Sequence, residues 1–267
     1  MPRVFISPES LASLSSNETD DSEHEKIVHL TGELHNYLTR VLRMTRYDKV
    51  TVFDGKDKEY PTIITAIDAK TVTLLLGPPK HLKRIDKPKV VLLQGLLKSG
   101  KMELVIQKST ELGVNIIIPT VCSRSVPKLP QNRAAKRRTR WKKIAAAAGA
   151  QCGRTDIPEI DSIKPCIEDA LARILDIQAG ESTDCWSVAL WEECRDKNLN
   201  KILPPDLPKK RIVSLLIGPE GGLSKEEIDL CREAGFQVAG LGRLILRSET
   251  AALAALTLIS AGAGLLD

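Results

Sequence analysis

The sequence predicts an α/β protein in two parts: a small β-barrel domain over residues 1–79, a linker at 80–88, and a mostly parallel sheet domain over 89–267. Three observations carry that expectation. Residues 26–79 hold short runs rich in β-branched side chains, each closed by turn residues. The stretch "PPKHLKRIDKP" at 78–88 turns abruptly to Pro and Lys, as linkers do. After it, strand-like and helix-like segments alternate, the signature of a parallel sheet covered by helices.

In the first part, "KIVHL", "KVTVFDG", "EYPTIITAID" and "TVTLLLG" read as strands. They are interrupted by "ELHNYLTRVLRM" (33–44), whose Leu34, Tyr37, Leu38, Val41 and Leu42 fall on one helical face. Arg40 and Arg43 fall elsewhere on that helix. Residues 7–26 are polar and acidic, which suits a surface loop or a partly disordered insertion.

In the second part, "KVVLLQ", "VNIIIP", "SVALWE", "RIVSLLIG" and "QVAGLG" read as strands. "GKMELVIQKSTELG", "RAAKRRTRWKKIAAAAGAQ", "SKEEIDLCREAG" and "SETAALAALTLISAGAG" read as helices. In such sheets ligands collect beyond the carboxyl ends of the strands.

Composition narrows the function classes. Charged residues make up 27 % of the 267 residues, and the net charge is +5. No apolar run reaches the roughly 18–20 residues of a membrane span, and the N-terminus lacks a signal-peptide core, so a cytoplasmic protein is expected. The six cysteines form no CxxC pair and the four histidines all lie in the first third, so no metal is expected. Charge is unevenly spread. Between Glu111 and Asp156 there is no acid, yet Arg124, Lys128, Arg133, Lys136, Arg137, Arg138, Arg140, Lys142, Lys143 and Arg154 are all basic. That asymmetry points to a polyanion partner, with a solvated helix face as the plainer alternative.

Three glycine motifs bear on the ligand. "GLLKSGKM" (95–102) has the spacing of a phosphate loop, but Met102 stands where Ser or Thr should hold Mg²⁺. "GLGRLI" lacks the third glycine of a dinucleotide fingerprint. "LLIGPEGGLSKEEI" follows a strand and opens a helix through a Ser224–Glu227 capping box. Its Glu220 would repel a phosphate by several kcal/mol at close range, so a neutral or cationic ligand fits better. The three glycines 218, 221 and 222 exceed what a bare turn needs and leave room for a ligand at the backbone.

"LIGPEGGLSKEEI" followed by "LGRLILRSETAALAAL" resembles the RsmE family of 16S ribosomal RNA methyltransferases. "HNYLTRVLRM", "QGLLKSGKMELVIQKSTELGVNIIIP" and "AQCGR" extend the resemblance along nearly the whole chain. The resemblance implies a PUA-like RNA-binding barrel before a SPOUT-type domain whose end is tied in a trefoil knot. It also implies a homodimer, S-adenosyl-L-methionine as cofactor, and methylation of N3 of a uridine in 16S rRNA or the assembled small ribosomal subunit. Carried over by motif, the cofactor loops are Leu190, Trp191 and Glu192; Ile217, Gly218, Glu220, Gly221 and Gly222; and Leu241, Gly242 and Leu246. Arg247 and Glu249 are the catalytic candidates, with a structural Arg–Glu pair capping the last helix as the alternative. Arg3, Arg40, Arg43, Arg124 and Arg154 are the RNA-binding candidates. The chain departs from the family pattern at Leu244, where Arg is usual, and at Ala147, where Glu is frequent. Two other functions stay open: methylation of another RNA such as tRNA, or a catalytically impaired RNA-binding relative.

Overall fold

The computed structural model describes residues 1–14, 26–81, 87–126, 131–179 and 184–266. Most of the polar 7–26 segment, part of the 80–88 linker, His24 and Lys128 therefore lie outside the described residues. The chain divides into two compact units, 1–85 with 149–157, and 86–148 with 158–267.

The first unit is built on a six-stranded sheet with the path β1–β3–β4–β5–β2 and β6 paired to β4. The strands are β1 (Arg3–Phe5), β2 (Lys26–Thr31), β3 (Lys49–Phe53), β4 (Lys58–Ile67), β5 (Thr71–Leu76) and β6 (Lys80–His81). All pairings are antiparallel except β1 with β3. β5 shows why it forms: its side chains alternate between half-buried and buried, one face to the core. Val28, Leu30, Val50, Val52, Ile64, Val72 and Leu74 fill that core with Leu38.

Two sequence expectations are corrected here. Pro8–Leu14 form a helix, α1, whose Leu11 is buried in the core, so this part of the polar segment is folded. One buried leucine per turn suffices to dock a short helix, and composition averages hide it. The second correction concerns 33–44. The helix exists, as α2 (Gly32–Asn36) continuing into a π-helical turn at Tyr37–Val41, and Leu34, Leu38 and Leu42 pack on the core, but the apolar face is narrower than the sequence suggests. Leu42 N–H donates to the Tyr37 carbonyl at 2.9 Å, a five-residue step that adds one residue to the turn. Tyr37 and Val41 point to solvent, while His35 and Leu38 are buried and the His35 ring is hydrogen-bonded to the Asp68 carbonyl.

Residues 149–157 belong with this first unit. Asp156 bridges to Gly55, and Thr155 donates to Asp57.

The second unit is a six-stranded parallel sheet ordered β12–β10–β11–β7–β8–β9. The strands are β7 (Lys89–Gly95), β8 (Ile116–Thr120), β9 (Glu159–Ile160), β10 (Cys185–Leu190), β11 (Ile212–Ile217) and β12 (Gln237–Ala239). β8 and β11 are buried at every position, as strands covered on both faces must be, which is why they read as continuous apolar runs. The helices are α3 (Ser99–Glu111), α4 (Gln131–Cys152), α5 (Ile167–Gln178), α6 (Leu199–Ile202), α7 (Lys225–Glu233) and α8 (Ser248–Gly262). α5 was missed in the sequence; Ile167, Ala170, Leu171 and Ile174 are its buried stripe.

From β7 the chain steps to β8 and β9 on one side, then crosses to place β11 on the other. This reversal of direction is a topological switch point, and there the ends of β7 and β11 pack closely, Gly95 against Gly218 and Pro219. From the edge strand β12 the chain passes back along the loop after β10. Gly240 N–H donates to the Lys197 carbonyl at 2.8 Å, and Leu199 N–H donates to the Gly240 carbonyl at 2.9 Å. It then starts α8 against the end of β11, where Ser248 Oγ donates to the Gly218 carbonyl at 2.5 Å.

Candidate cofactor cleft

The loops after β10, β11 and β12 all leave the same edge of the parallel sheet, so they meet. Between them lies a cleft of about 340 Å³. Leu190, Trp191, Glu192, Ile217, Gly218, Glu220, Gly222, Leu241, Gly242, Leu246 and Arg247 line it, and so bring together nearly every cofactor position read from the sequence. Gly221 and Glu249 are not among the lining residues.

The glycines have more local reasons than ligand access. Gly222 alone in this turn has a positive φ, 73°. A Cβ on Gly218 would stand 2.9 Å from the Leu223 side chain, and one on Gly221 would stand 3.0 Å from the Arg124 carbonyl oxygen. The glycine excess thus answers partly to packing within the turn and against the loop after β8. Glu227 completes that junction. Its carboxylate closes the capping box on Ser224 and also accepts from Ser123 N–H at 2.7 Å and Ser123 Oγ at 3.1 Å.

Electrostatics on one wall of the cleft were not legible in the sequence. Lys101, from the "GLLKSGK" turn, lines the cleft with its ammonium 3.1 Å from Glu249 and 3.8 Å from Glu220. Glu220 also accepts from Lys98 N–H at 3.2 Å. Glu220 Oε2 and Glu249 Oε2 are buried with no hydrogen-bond partner. Burial alone would raise the Glu249 carboxyl, but its bond to its own backbone amide and the Lys101 and Arg247 charges outweigh burial and hold it below the usual carboxylate range. Glu249 is therefore ionised at neutral pH and stands behind Lys101. The alternative Arg247–Glu249 cap gives way to a Lys101–Glu249 ion pair. Arg195, Arg243 and Arg247 are exposed along the lining, as are Leu244 and Ile245 at 79 % and 77 %.

At the base, Gln94 donates to the Gly95 carbonyl at 3.0 Å and to Ser248 Oγ at 3.2 Å. It ties β7 to the start of α8.

The RNA candidates divide into two groups. Arg3 pairs with Glu59, donates to the Arg154 carbonyl at 2.9 Å and lies over the Phe53 ring. Arg154 is held by Asp156 at 2.6 Å. Both are occupied inside the first unit. Arg40, Arg43 and Arg124 are exposed, and so are Arg133, Lys136, Lys142 and Lys143 along α4. Arg140 pairs with Glu103, and Arg138 donates to the Ile160 carbonyl.

Among the described residues, no group of three or more His, Cys, Asp or Glu could hold a metal ion, and no helix is long and apolar enough to cross a membrane. The cysteines are free. Burial, with the Glu227 charge adding to it, pushes the Cys231 thiol up to about 12, so it is inert.

A crevice of this kind, at the carboxyl edge of a parallel sheet joined to an antiparallel one, defines a class. The chain matches the family model of the RNA methyltransferase domain over residues 85–260, and that of the RNA methyltransferase PUA domain over 30–76. The Bacillus subtilis ribosomal RNA small subunit methyltransferase E is 33 % identical over 86 % of this chain and 88 % of its own. The Buchnera aphidicola (Schizaphis graminum) protein of that name is 31 % identical over 87 % and 89 %. A methyltransferase of Legionella pneumophila, solved with the bound cofactor SAM, superposes with a TM-score of 0.80 at 29 % identity, covering 98 % of this chain and 97 % of that one. The Neisseria gonorrhoeae ribosomal RNA small subunit methyltransferase E, bound to S-adenosyl methionine, gives 0.77 at 28 % over 98 % and 97 %. The chain belongs to the ribosomal RNA small subunit methyltransferase E family.

Proposed function

We propose that this protein transfers a methyl group from S-adenosylmethionine to N3 of a uridine in 16S rRNA. The observation that carries the reading is the cleft at the β10, β11 and β12 loops, with an acid in its glycine turn and no phosphate-binding lysine arrangement.

The residues present fit the cofactor. Leu190, Ile217, Leu241 and Leu246 give apolar cover for a purine ring, and the loop backbones give donors and acceptors for it. Glu220, with one buried carboxylate oxygen unpartnered, suits a cation or a hydroxyl donor. Trp191, Glu192, Gly218, Gly221, Gly222 and Gly242 complete the loops. Bound there, S-adenosylmethionine supplies an electrophilic methyl on a sulfonium.

The chain's own residues have a narrower task. Uracil N3 carries a proton and must lose it to become nucleophilic. Arg247, exposed at the cleft one residue before α8, stabilises negative charge spreading onto the uracil oxygens. Glu249, ionised and set behind Lys101, acts through that lysine. The base must leave its stack to enter.

RNA is held by Arg40, Arg43, Arg124 and the exposed bases of α4, while Arg3 and Arg154 keep the first unit in shape. The return of the chain from β12 past the loop after β10 is the crossing of a trefoil knot. The exposed Leu244 and Ile245 are covered in a homodimer. The protein works in the cytoplasm, on assembled or assembling small subunits.

Incubation with labelled S-adenosylmethionine and small ribosomal subunits lacking the modification tests the reading. Nucleoside mass spectrometry should find 3-methyluridine in 16S rRNA; label in another nucleoside, in tRNA, or nowhere, defeats it. RNA affinity should fall steeply between low and moderate salt.

A further inference from the structure

We infer that the Glu220–Lys101–Glu249 cluster distinguishes the charged methyl donor from its neutral product, and so favours loading over product retention. The inference rests on the cofactor reading above.

The geometry supplies two carboxylates for one ammonium. Lys101 bridges Glu220 at 3.8 Å and Glu249 at 3.1 Å, and the side chains are 30 %, 19 % and 13 % exposed respectively. Each glutamate keeps one buried oxygen with no partner. By formal charge the cluster carries one net negative, with Lys101 and Glu220 on the wall of the cleft and Glu249 behind Lys101. Lys98 adds a backbone N–H to Glu220.

The other charges around the cleft are Glu192, Arg195, Arg243 and Arg247, all exposed, where water and salt weaken them. Arg247 also acts on Glu249, from an exposed position just before α8. The unpartnered oxygens are the charges that act at short range and low dielectric.

Methyl transfer changes one thing about the cofactor's charge. The sulfur goes from a sulfonium cation to a neutral thioether, the new C–N bond forms on the base, and the N3 proton leaves to solvent. A wall with one uncompensated negative charge attracts the donor more than the product. Lys101 sets the size of that preference. Without it the cleft would hold two carboxylates with no cation between them. With it, one formal negative charge remains.

The test is calorimetry at fixed ionic strength with two probes. S-adenosylhomocysteine is the neutral thioether, and sinefungin carries a cationic amine where the sulfonium would be. The readout is the ratio of the two affinities in wild type, Glu249→Gln, Glu220→Gln and Lys101→Arg. We expect each glutamine variant to lower sinefungin affinity on the order of tenfold more than S-adenosylhomocysteine affinity. Lys101→Arg keeps the charge and should keep the ratio. A ratio unchanged in both glutamine variants, or an equal loss of both probes, overturns the inference while leaving the cofactor reading intact. Failure of wild type to bind either probe defeats the cofactor reading itself.

Discussion

Two glycine turns lie side by side at the carboxyl edge of the second sheet, and they differ in what their glycines are for. The turn after β7, "GLLKSGK", looks like a phosphate loop; the turn after β11, "GPEGGLS", looks like one spoiled by an acid. In the structure the two belong together. A Cβ on Gly95 would lie 2.5 Å from the Pro219 nitrogen and 2.8 Å from the Gly218 carbonyl carbon. The first turn lends a cation, Lys101, and the second an anion, Glu220. The lysine that suggested nucleotide phosphates is turned onto carboxylates. A motif's glycines can thus record the approach of another backbone as readily as that of a ligand.

The sharpest way to break this pairing is Gly95→Val. The neighbours are the Gly218–Pro219 main chain and the proline ring, and neither can swing away. We expect a loss of about 3 kcal/mol, at the upper end of overpacking costs. Thermal unfolding measures it, and S-adenosylhomocysteine binding should vanish with it. A variant of wild-type stability would mean the two turns do not depend on each other.

Gly222→Ala attacks the other turn more gently. Its φ of 73° disfavours a side chain, and the new Cβ would meet Glu192 Oε1 at 2.1 Å. Glu192 is exposed and can move, so the cost is about 1–2 kcal/mol, mostly from the backbone. The diagnostic is that S-adenosylhomocysteine should weaken more than stability alone explains, because both residues line the cleft. Ser224→Ala removes one half of the capping box and should lower stability by about 1 kcal/mol. Here affinity should hold, since the hydroxyl is outside the cleft lining; a matching loss of affinity would show that the cap positions the glycines.

How much of this could be read in the sequence depends on whether the cause was local. The capping box was legible because Ser224 and Glu227 are three residues apart and both partners are in view. The strands of the second sheet were legible because burial on both faces leaves an unbroken apolar run. The exposure of Tyr37 and Val41 within 33–44 was not, because a π-helical step adds one residue to the turn that carries them. At Arg3 and Arg154 the sequence shows charge but not partners; Glu59 and Asp156 hold them. The cleft loops were found by motif, yet Lys101 was passed over, because its partners lie more than a hundred residues away. Spacing finds side chains that meet along the chain, and it misses those brought together by strand order.

The smallest effect expected is also the most specific to the charge pairing between the turns. Glu249→Gln keeps the shape and removes one carboxylate from Lys101, which retains Glu220. The stability lost should be about 0.5–1 kcal/mol, as for ion pairs that keep some solvent. Its pH dependence follows from the sign of the shift. The Glu249 carboxyl is held below its ordinary 4.5 when folded, so the folded state favours the ionised form. That contribution is complete above the unfolded value and is lost as pH falls through the lower folded one. The Tm gap between wild type and variant should therefore be constant from neutral pH to about pH 5 and close in more acid solution. A gap that persists unchanged into acid would mean Glu249 contributes by hydrogen bonding and packing, and that Lys101 answers to Glu220 alone.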